Sequence, residues 1–163
     1  MHVSVDISRK PRGWTEVKGF IKLLILKILE EGPLHGYGIM KRLEELMGIK
    51  PSSGVIYPLL RSLQNSGLIR VAQESTSGRK TKIYELTERG RQFLRDNSAK
   101  VQEAIRFATS LKKFKEIGGQ ELGEVVRMLI RKILDLDEEK LREISNAIRE
   151  FCTKVRNILG QVI

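Results

Sequence analysis

The segment from Pro51 to Gly67, PSSGVIYPLLRSLQNSG, most limits what this chain can fold into. Pro51, Ser52 and Ser53 suit the entry to a helix. Asn65-Ser66-Gly67 suits an exit, because Gly67 can take a positive φ without a Cβ clash. Between these signals Ile56, Leu59, Leu60 and Leu63 fall at i, i+3, i+4 and i+7, which makes one buried face. The other face carries Ser53, Val55, Tyr57, Arg61 and Gln64. Several of these side chains can hydrogen-bond to phosphates or base edges.

The preceding residues supply helices for this one to lean on. FIKLLILKILEE, Phe20 to Glu31, predicts a strongly apolar helix stopped by Gly32-Pro33. A helix this apolar all round is central to a core or covered by a second chain. Leu34-His35-Gly36 turns into a second helix over Gly36 to Met47, with Ile39, Met40, Leu43, Leu46 and Met47 as its buried stripe. His35 reads as a capping or packing residue. Two short helices joined by a brief link, the second polar on its outer face, form a helix-turn-helix. A hairpin follows: Leu68 to Ala72 and Lys82 to Leu86 are β-prone, and Gln73 to Thr81 is a polar loop. A basic-tipped hairpin after a helix-turn-helix is a wing, able to lie along the sugar-phosphate backbone while the helix occupies the major groove.

The formal net charge of +10 favours a polyanionic partner. Residues 50–84 concentrate it, with Lys50, Arg61, Arg70, Arg79, Lys80 and Lys82 against the single acid Glu74. Residues 1–18 show no sustained period and read as an N-terminal arm, either a DNA-contacting extension or a solvated tail. Trp14 is expected to anchor on the body or on a partner. No apolar run reaches the ~18 residues of a membrane span, and no signal-peptide pattern opens the chain, so a cytoplasmic protein is expected. The single Cys152 excludes an intrachain disulfide framework. Two histidines and one cysteine make no recognisable structural zinc site. Gly36-Tyr37-Gly38 follows a turn rather than a strand, so it is no dinucleotide fingerprint. No enzyme, cofactor or metal is expected.

Four stretches together resemble the PadR family of winged-helix transcriptional regulators. They are Leu34-His35-Gly36-Tyr37-Gly38-Ile39; Gly54-Val55-Ile56-Tyr57-Pro58-Leu59-Leu60; Gly67-Leu68-Ile69; and Gly78-Arg79, Lys82, Tyr84, Leu86-Thr87 and Gly90. The chain departs from the family pattern at Gly38, Lys80, Thr81 and Glu85. The resemblance implies a homodimeric DNA-binding repressor, often relieved by a small phenolic or hydrophobic compound. The residues expected at double-stranded DNA are Ser52, Ser53, Tyr57, Arg61, Gln64, Arg79, Lys80 and Lys82. A serine at the helix start caps it, grips a phosphate, or does both. Tyr57 either contacts phosphate through its hydroxyl or packs half-buried against the wing. Arg61 is the candidate for a base edge, since guanidinium pairs bidentately with guanine. If Gly54 caps the helix, Pro58 falls where an N–H is nearly dispensable.

Thr87 is read as the N-cap of a long helix from Glu88 to about Glu116, with Leu94, Val101, Ala104, Ala108 and Leu111 inward. Phe93, Phe107 and Phe114 form a neighbouring stripe that is either plain core or the lining of an effector cavity. Gly118-Gly119 breaks this helix, and another runs over about Glu121 to Leu134. Asp135 and Asp137 offer caps for the last, where Leu141, Ile144, Ile148, Phe151, Val155, Ile158 and Val162 step by three and four in a heptad seam. The seam packs on its own subunit or zips to a second chain, and a dimer would read a palindromic operator. The expected architecture is mainly α with a small β-wing: an arm over 1–18, a winged helix-turn-helix DNA-binding domain over 19–90, and a helical dimerisation region over 91–163. The rival is a winged-helix protein-interaction module without specific DNA binding.

Overall fold

A computed structural model describes residues 12–75 and 81–160 of the chain. It falls into two compact units, Met1–Ile117 and Gly118–Ile163.

The first unit is built round α1, Arg12–Glu30. This helix begins eight residues before the expected Phe20, so part of the stretch read as an arm is helical. Residues 1–11 of that arm lie outside the described residues, as does the side chain of Trp14. Leu24, Ile25, Leu26, Ile28 and Leu29 are all buried. Helix α1 is the central element, in contact with α2 (Gly36–Met47), α3 (Ser53–Asn65), α4 (Glu88–Asp96), α5 (Ser98–Phe114) and the strand Thr81–Leu86. Three strands form an antiparallel sheet: β1, Leu34–His35; β2, Ile69–Ser75; and β3, Thr81–Leu86, in the order β1-β3-β2. Leu34 pairs with Tyr84 and Ile69 with Leu86. The ladder shifts register between Val71 and Gln73, opposite Tyr84 and Ile83, which leaves Ala72 as a bulge.

Helix α2 has the expected bounds. His35 is its N-cap, its Nδ1 accepting from the Gly38 N–H at 2.8 Å. Ile39, Met40, Leu43 and Met47 are buried, but Leu46, expected inside, is 42% exposed. It sits on the flank of the stripe, where no neighbouring element covers it fully. Helix α3 buries Ile56, Leu59, Leu60 and Leu63, the stripe read from the sequence. It ends on Gly67 at φ 68°, with Leu68 N–H donating to Leu63 C=O at 3.0 Å and Gly67 N–H to Gln64 C=O at 2.9 Å. This double bond pattern is the Schellman closure, which needs a residue at ease with positive φ.

Thr87 caps α4, its Oγ1 accepting from the Gly90 N–H at 3.0 Å. The single long helix expected from Glu88 to Glu116 is instead two. Asn97 stands between them at φ −113° and ψ 28°, with both its backbone N–H and its Nδ2 donating to the Phe93 carbonyl. The side-chain amide competes for the carbonyl at the end of α4, so the helix stops and restarts. Leu94, Val101, Ala104 and Ala108 of α4 and α5 join the core of α1. The compact unit therefore runs beyond residue 90.

The second unit holds α6, Gln120–Lys132, a short 3₁₀ turn, Ile133–Asp135, and α7, Glu138–Gly160. A short π-helix, Lys115–Gly119, leads into α6, with Gly118 at φ 98°. Asp137 caps the start of α7, its Oδ1 accepting from the Lys140 N–H at 2.9 Å. The Lys140 side chain and amide hold the Asp137 carboxyl below its ordinary value. No residue of α6 or α7 is buried. On α7, Leu141, Ile144 and Val155 are partly covered, and Ile148, Phe151 and Ile158 are about half exposed. Among the described residues, no helix is long and apolar enough to cross a membrane.

Candidate nucleic-acid interface

Helix α3 presents the candidate surface because its inner stripe leaves no freedom about which face points out. Ser52, Ser53, Tyr57, Arg61 and Gln64 are all exposed. The N-cap is Ser52, not Gly54, and it caps with its backbone alone. Its carbonyl accepts from Val55 N–H at 3.0 Å and Ile56 N–H at 3.1 Å, and its hydroxyl makes no cap bond. The side-chain cap expected from Ser52 or Ser53 is absent at this N-cap, and a tight first turn stands in its place. That turn leaves the N–H groups of Ser53 and Gly54 ahead of the first helical bond, an arrangement that suits an anion.

With the cap at Ser52, Pro58 is inside the helix, beyond the positions where an N–H is dispensable. It forgoes a bond to the Gly54 carbonyl. Both residues are exposed, so water can reach that carbonyl and the defect is mild. Pro58 then lines a shallow depression with Tyr57, Arg61, Ser62, Asn65 and Ser66. Lys22 of α1 donates to Ser62 Oγ at 2.8 Å, which ties the middle of α3 to the central helix.

Tyr57 is 48% exposed and lies across the start of α2. A Cβ built on Gly36 would stand 3.0 Å from its Cε1 and 3.1 Å from its hydroxyl oxygen. The ring therefore rests on the β1–α2 turn. Tyr84 lies close by on β3, buried. Burial pushes its phenol up, the Tyr57 phenol adds to the rise, and the Arg61 guanidinium opposes it. The outer face of α3 and the return strand of the hairpin thus share one electrostatic neighbourhood.

The hairpin brings Lys82 to an exposed position opposite Glu74 in the ladder. Arg79 and Lys80, expected at the wing tip, lie outside the described residues. Arg70 is paired across the strands with Glu85, so it is engaged within the sheet. The sequence reading missed one feature of this surface. Tyr37, 59% exposed at the start of α2, has the Lys50 ammonium 4.9 Å over its ring. The signal was there: an aromatic just after the His-Gly turn, and a lysine in the link just before α3.

The aromatic stripe does not act as a unit. Phe93 lines a groove of about 750 Å³ with Phe20, Leu23, Leu26, Leu63 and Leu68, rimmed by Arg89 and Lys100. Phe107 instead packs on Phe20, ring centroids 5.2 Å apart. Phe114 is 45% exposed. Among the described residues, no group of three or more His, Cys, Asp or Glu could hold a metal.

Residues 25–96 match the model of the Transcriptional regulator PadR-like family. The chain is 42% identical over 86 residues to Transcriptional regulator YqjI of Escherichia coli, a match covering 52% of this chain and 40% of that protein. It thus spans well under two thirds of the length of that relative. It is 29% identical over 86 residues to Transcriptional regulator Rv3488 of Mycobacterium tuberculosis, covering 53% of this chain and 79% of that one. Among solved structures, a PadR family transcriptional regulator from Eggerthella lenta is 32% identical, with a TM-score of 0.44, over 53% of this chain and 72% of that one.

Proposed function

Because this chain belongs to the PadR-like family of transcriptional regulators, we propose that it is a sequence-specific DNA-binding repressor that works as a homodimer. The observation that carries the reading is the outer face of α3. Its inner stripe is fully committed to the core, while Ser53, Tyr57, Arg61 and Gln64 stand exposed in a row. In the major groove Arg61 and Gln64 face base edges. Ser52, Ser53 and Tyr57 hold the backbone near the helix start. Lys82, with Arg79 and Lys80, follows phosphates on the wing side, and Tyr37 with Lys50 extends the contact beside α2. Most affinity is then electrostatic and falls steeply with salt.

The apolar seam of α7 supports the homodimer. Its 23-residue helix carries six seam positions without burying any of them. A dimer that reads a palindrome needs two α3 helices about 34 Å apart, and α7 offers the seam for joining two copies. The 750 Å³ groove beside Phe20 and Phe93 supports relief by a small hydrophobic effector.

The test is a gel-shift titration beside circular dichroism, with total genomic fragments as the starting DNA. Tyr57→Ala and Arg61→Ala should each weaken binding while the helical signal stays at the wild-type level. Unchanged DNA affinity in both variants would sink the assignment. A wild type that enriches no DNA sequence at all points to the protein-interaction module instead.

A further inference from the structure

The glycine at position 36 has no conformational reason to be there. The positive-φ glycines among the described residues are Gly32, Gly48, Gly67 and Gly118, and Gly36 is not among them. Its backbone angles are open to any residue, and at the head of a helix glycine is a weaker choice than alanine. Space is the remaining explanation. The three atoms nearest to where its Cβ would stand all belong to Tyr57: Cε1 at 3.0 Å, the hydroxyl oxygen at 3.1 Å and Cζ at 3.3 Å.

We propose that Gly36 is a positioning residue for the DNA-reading face, kept bare so that the Tyr57 phenol lies on the α2 start and presents its hydroxyl at one place. The proposal rests on the assignment of α3 as the DNA-reading helix. The seat under the ring is rigid on both sides. Leu34, two residues earlier, is paired to Tyr84 in the sheet, and His35 caps the Gly38 N–H at 2.8 Å. Gly36 itself is buried, whereas Tyr57 is 48% exposed. The hydroxyl end of the ring is therefore held against the α2 start while the side chain as a whole stays half-exposed. An aromatic pinned in this way loses little freedom on binding, which makes its hydroxyl a more effective donor than one on a swinging side chain.

The arrangement separates stability from binding. A methyl at position 36 meets only the yielding, half-exposed ring at its closest approach, so Tyr57 swings outward by a few tenths of an ångström and the fold stays. The hydroxyl then misses its mark. The expected signature is a protein that melts no lower than wild type and binds DNA less tightly.

The experiment is a double-mutant cycle on the DNA that wild type enriches from genomic fragments, using Gly36→Ala, Tyr57→Phe and the two together. Each single variant should weaken binding roughly three- to tenfold, the range of one lost hydrogen bond. The double variant should bind no more weakly than Tyr57→Phe alone, because the hydroxyl that Gly36 positions is already gone. Wild-type affinity in Gly36→Ala overturns the proposal, as does a double variant whose loss is the product of the two. A Gly36→Ala protein that melts below wild type also overturns it, since the bare backbone would then serve the fold. Wild type failing to select any DNA brings down the underlying reading of α3, a result visible before any variant is made.

Discussion

Replacing Gly90 by alanine should damage this fold more than any exposed substitution, and the reason is geometric. Gly90 is buried in the first turn of α4, where the helix crosses the end of α3's exit loop. A Cβ there would stand 2.2 Å from the Leu68 carbonyl oxygen and 2.7 Å from Leu86 Cδ1. Carbon and oxygen need about 1 Å more than that, and the obstacle is backbone, which cannot rotate away. The same carbonyl accepts from the Thr87 N–H at 3.1 Å, and the Thr87 hydroxyl donates to the Gly67 carbonyl at 2.7 Å. Moving α4 outward stretches both bonds. Overpacking of this kind costs about 1–3 kcal/mol. Two weakened hydrogen bonds add about 0.5–1.5 kcal/mol each. The sum, about 2–6 kcal/mol, is a large share of the stability of a small domain. It corresponds to a fall in Tm of roughly 10 °C or more. Thermal melts followed by circular dichroism measure it, with Gly19→Ala as the control. Gly19 lies in α1 with nothing within 4 Å of its Cβ position. That control should gain about 0.5–1 kcal/mol, the ordinary helix preference for alanine. If Gly90→Ala melts with wild type, the close packing of α4 on Leu68 is not as described.

Ile148→Asp should break the proposed homodimer by placing a charge in the α7 seam, and sedimentation at equal protein concentration checks it; a wild-type oligomer in the variant means the seam does not join chains. Binding to selected DNA should show a log–log salt slope of about −2.7 per subunit if Arg79, Lys80 and Lys82 each neutralise a phosphate. Arg61→Ala should weaken binding but leave this slope close to the wild-type value, and a slope flattened by about one means that Arg61 holds a phosphate instead of a base. At the start of α7 the Asp137 carboxyl is held low by Lys140, so its capping contribution is present above the ordinary carboxylate range and is lost as pH falls through the lowered folded value. Hydrogen-exchange protection of the Lys140 amide should drop on acidification in wild type and stay low at every pH in Asp137→Ala. Equal protection in the two proteins contradicts the cap.

What was legible in the sequence was local. The bounds of α2, the inner stripe of α3, the glycine exit at Gly67, and the caps at His35 and Thr87 each follow from residues within a turn of one another. What was not legible depended on distant partners. Strand β1 is only Leu34–His35, too short for any period, and exists because β3 is there to pair with it. The break at Asn97 turns on one side-chain amide joining the backbone N–H at the Phe93 carbonyl, while the apolar spacing runs straight through it. Leu46 matched the stripe and is exposed, because coverage is decided by neighbouring elements rather than by spacing. The interface divides in the same way. Spacing put Ser53, Tyr57, Arg61 and Gln64 on one face, but the seat of Tyr57 on Gly36 is a contact between two helices that no pattern announces.

The central claim is that α3 reads DNA sequence, and selection from genomic fragments tests it most directly. Wild-type protein, Tyr57→Ala and Arg61→Ala are each incubated with sheared genomic DNA at near-physiological salt, and the retained fragments are sequenced. Wild type should enrich a palindromic sequence with half-sites about one helical turn apart, and both variants should lose or relax it. Retention of fragments with no shared sequence, or the same palindrome enriched equally by all three proteins, would contradict it.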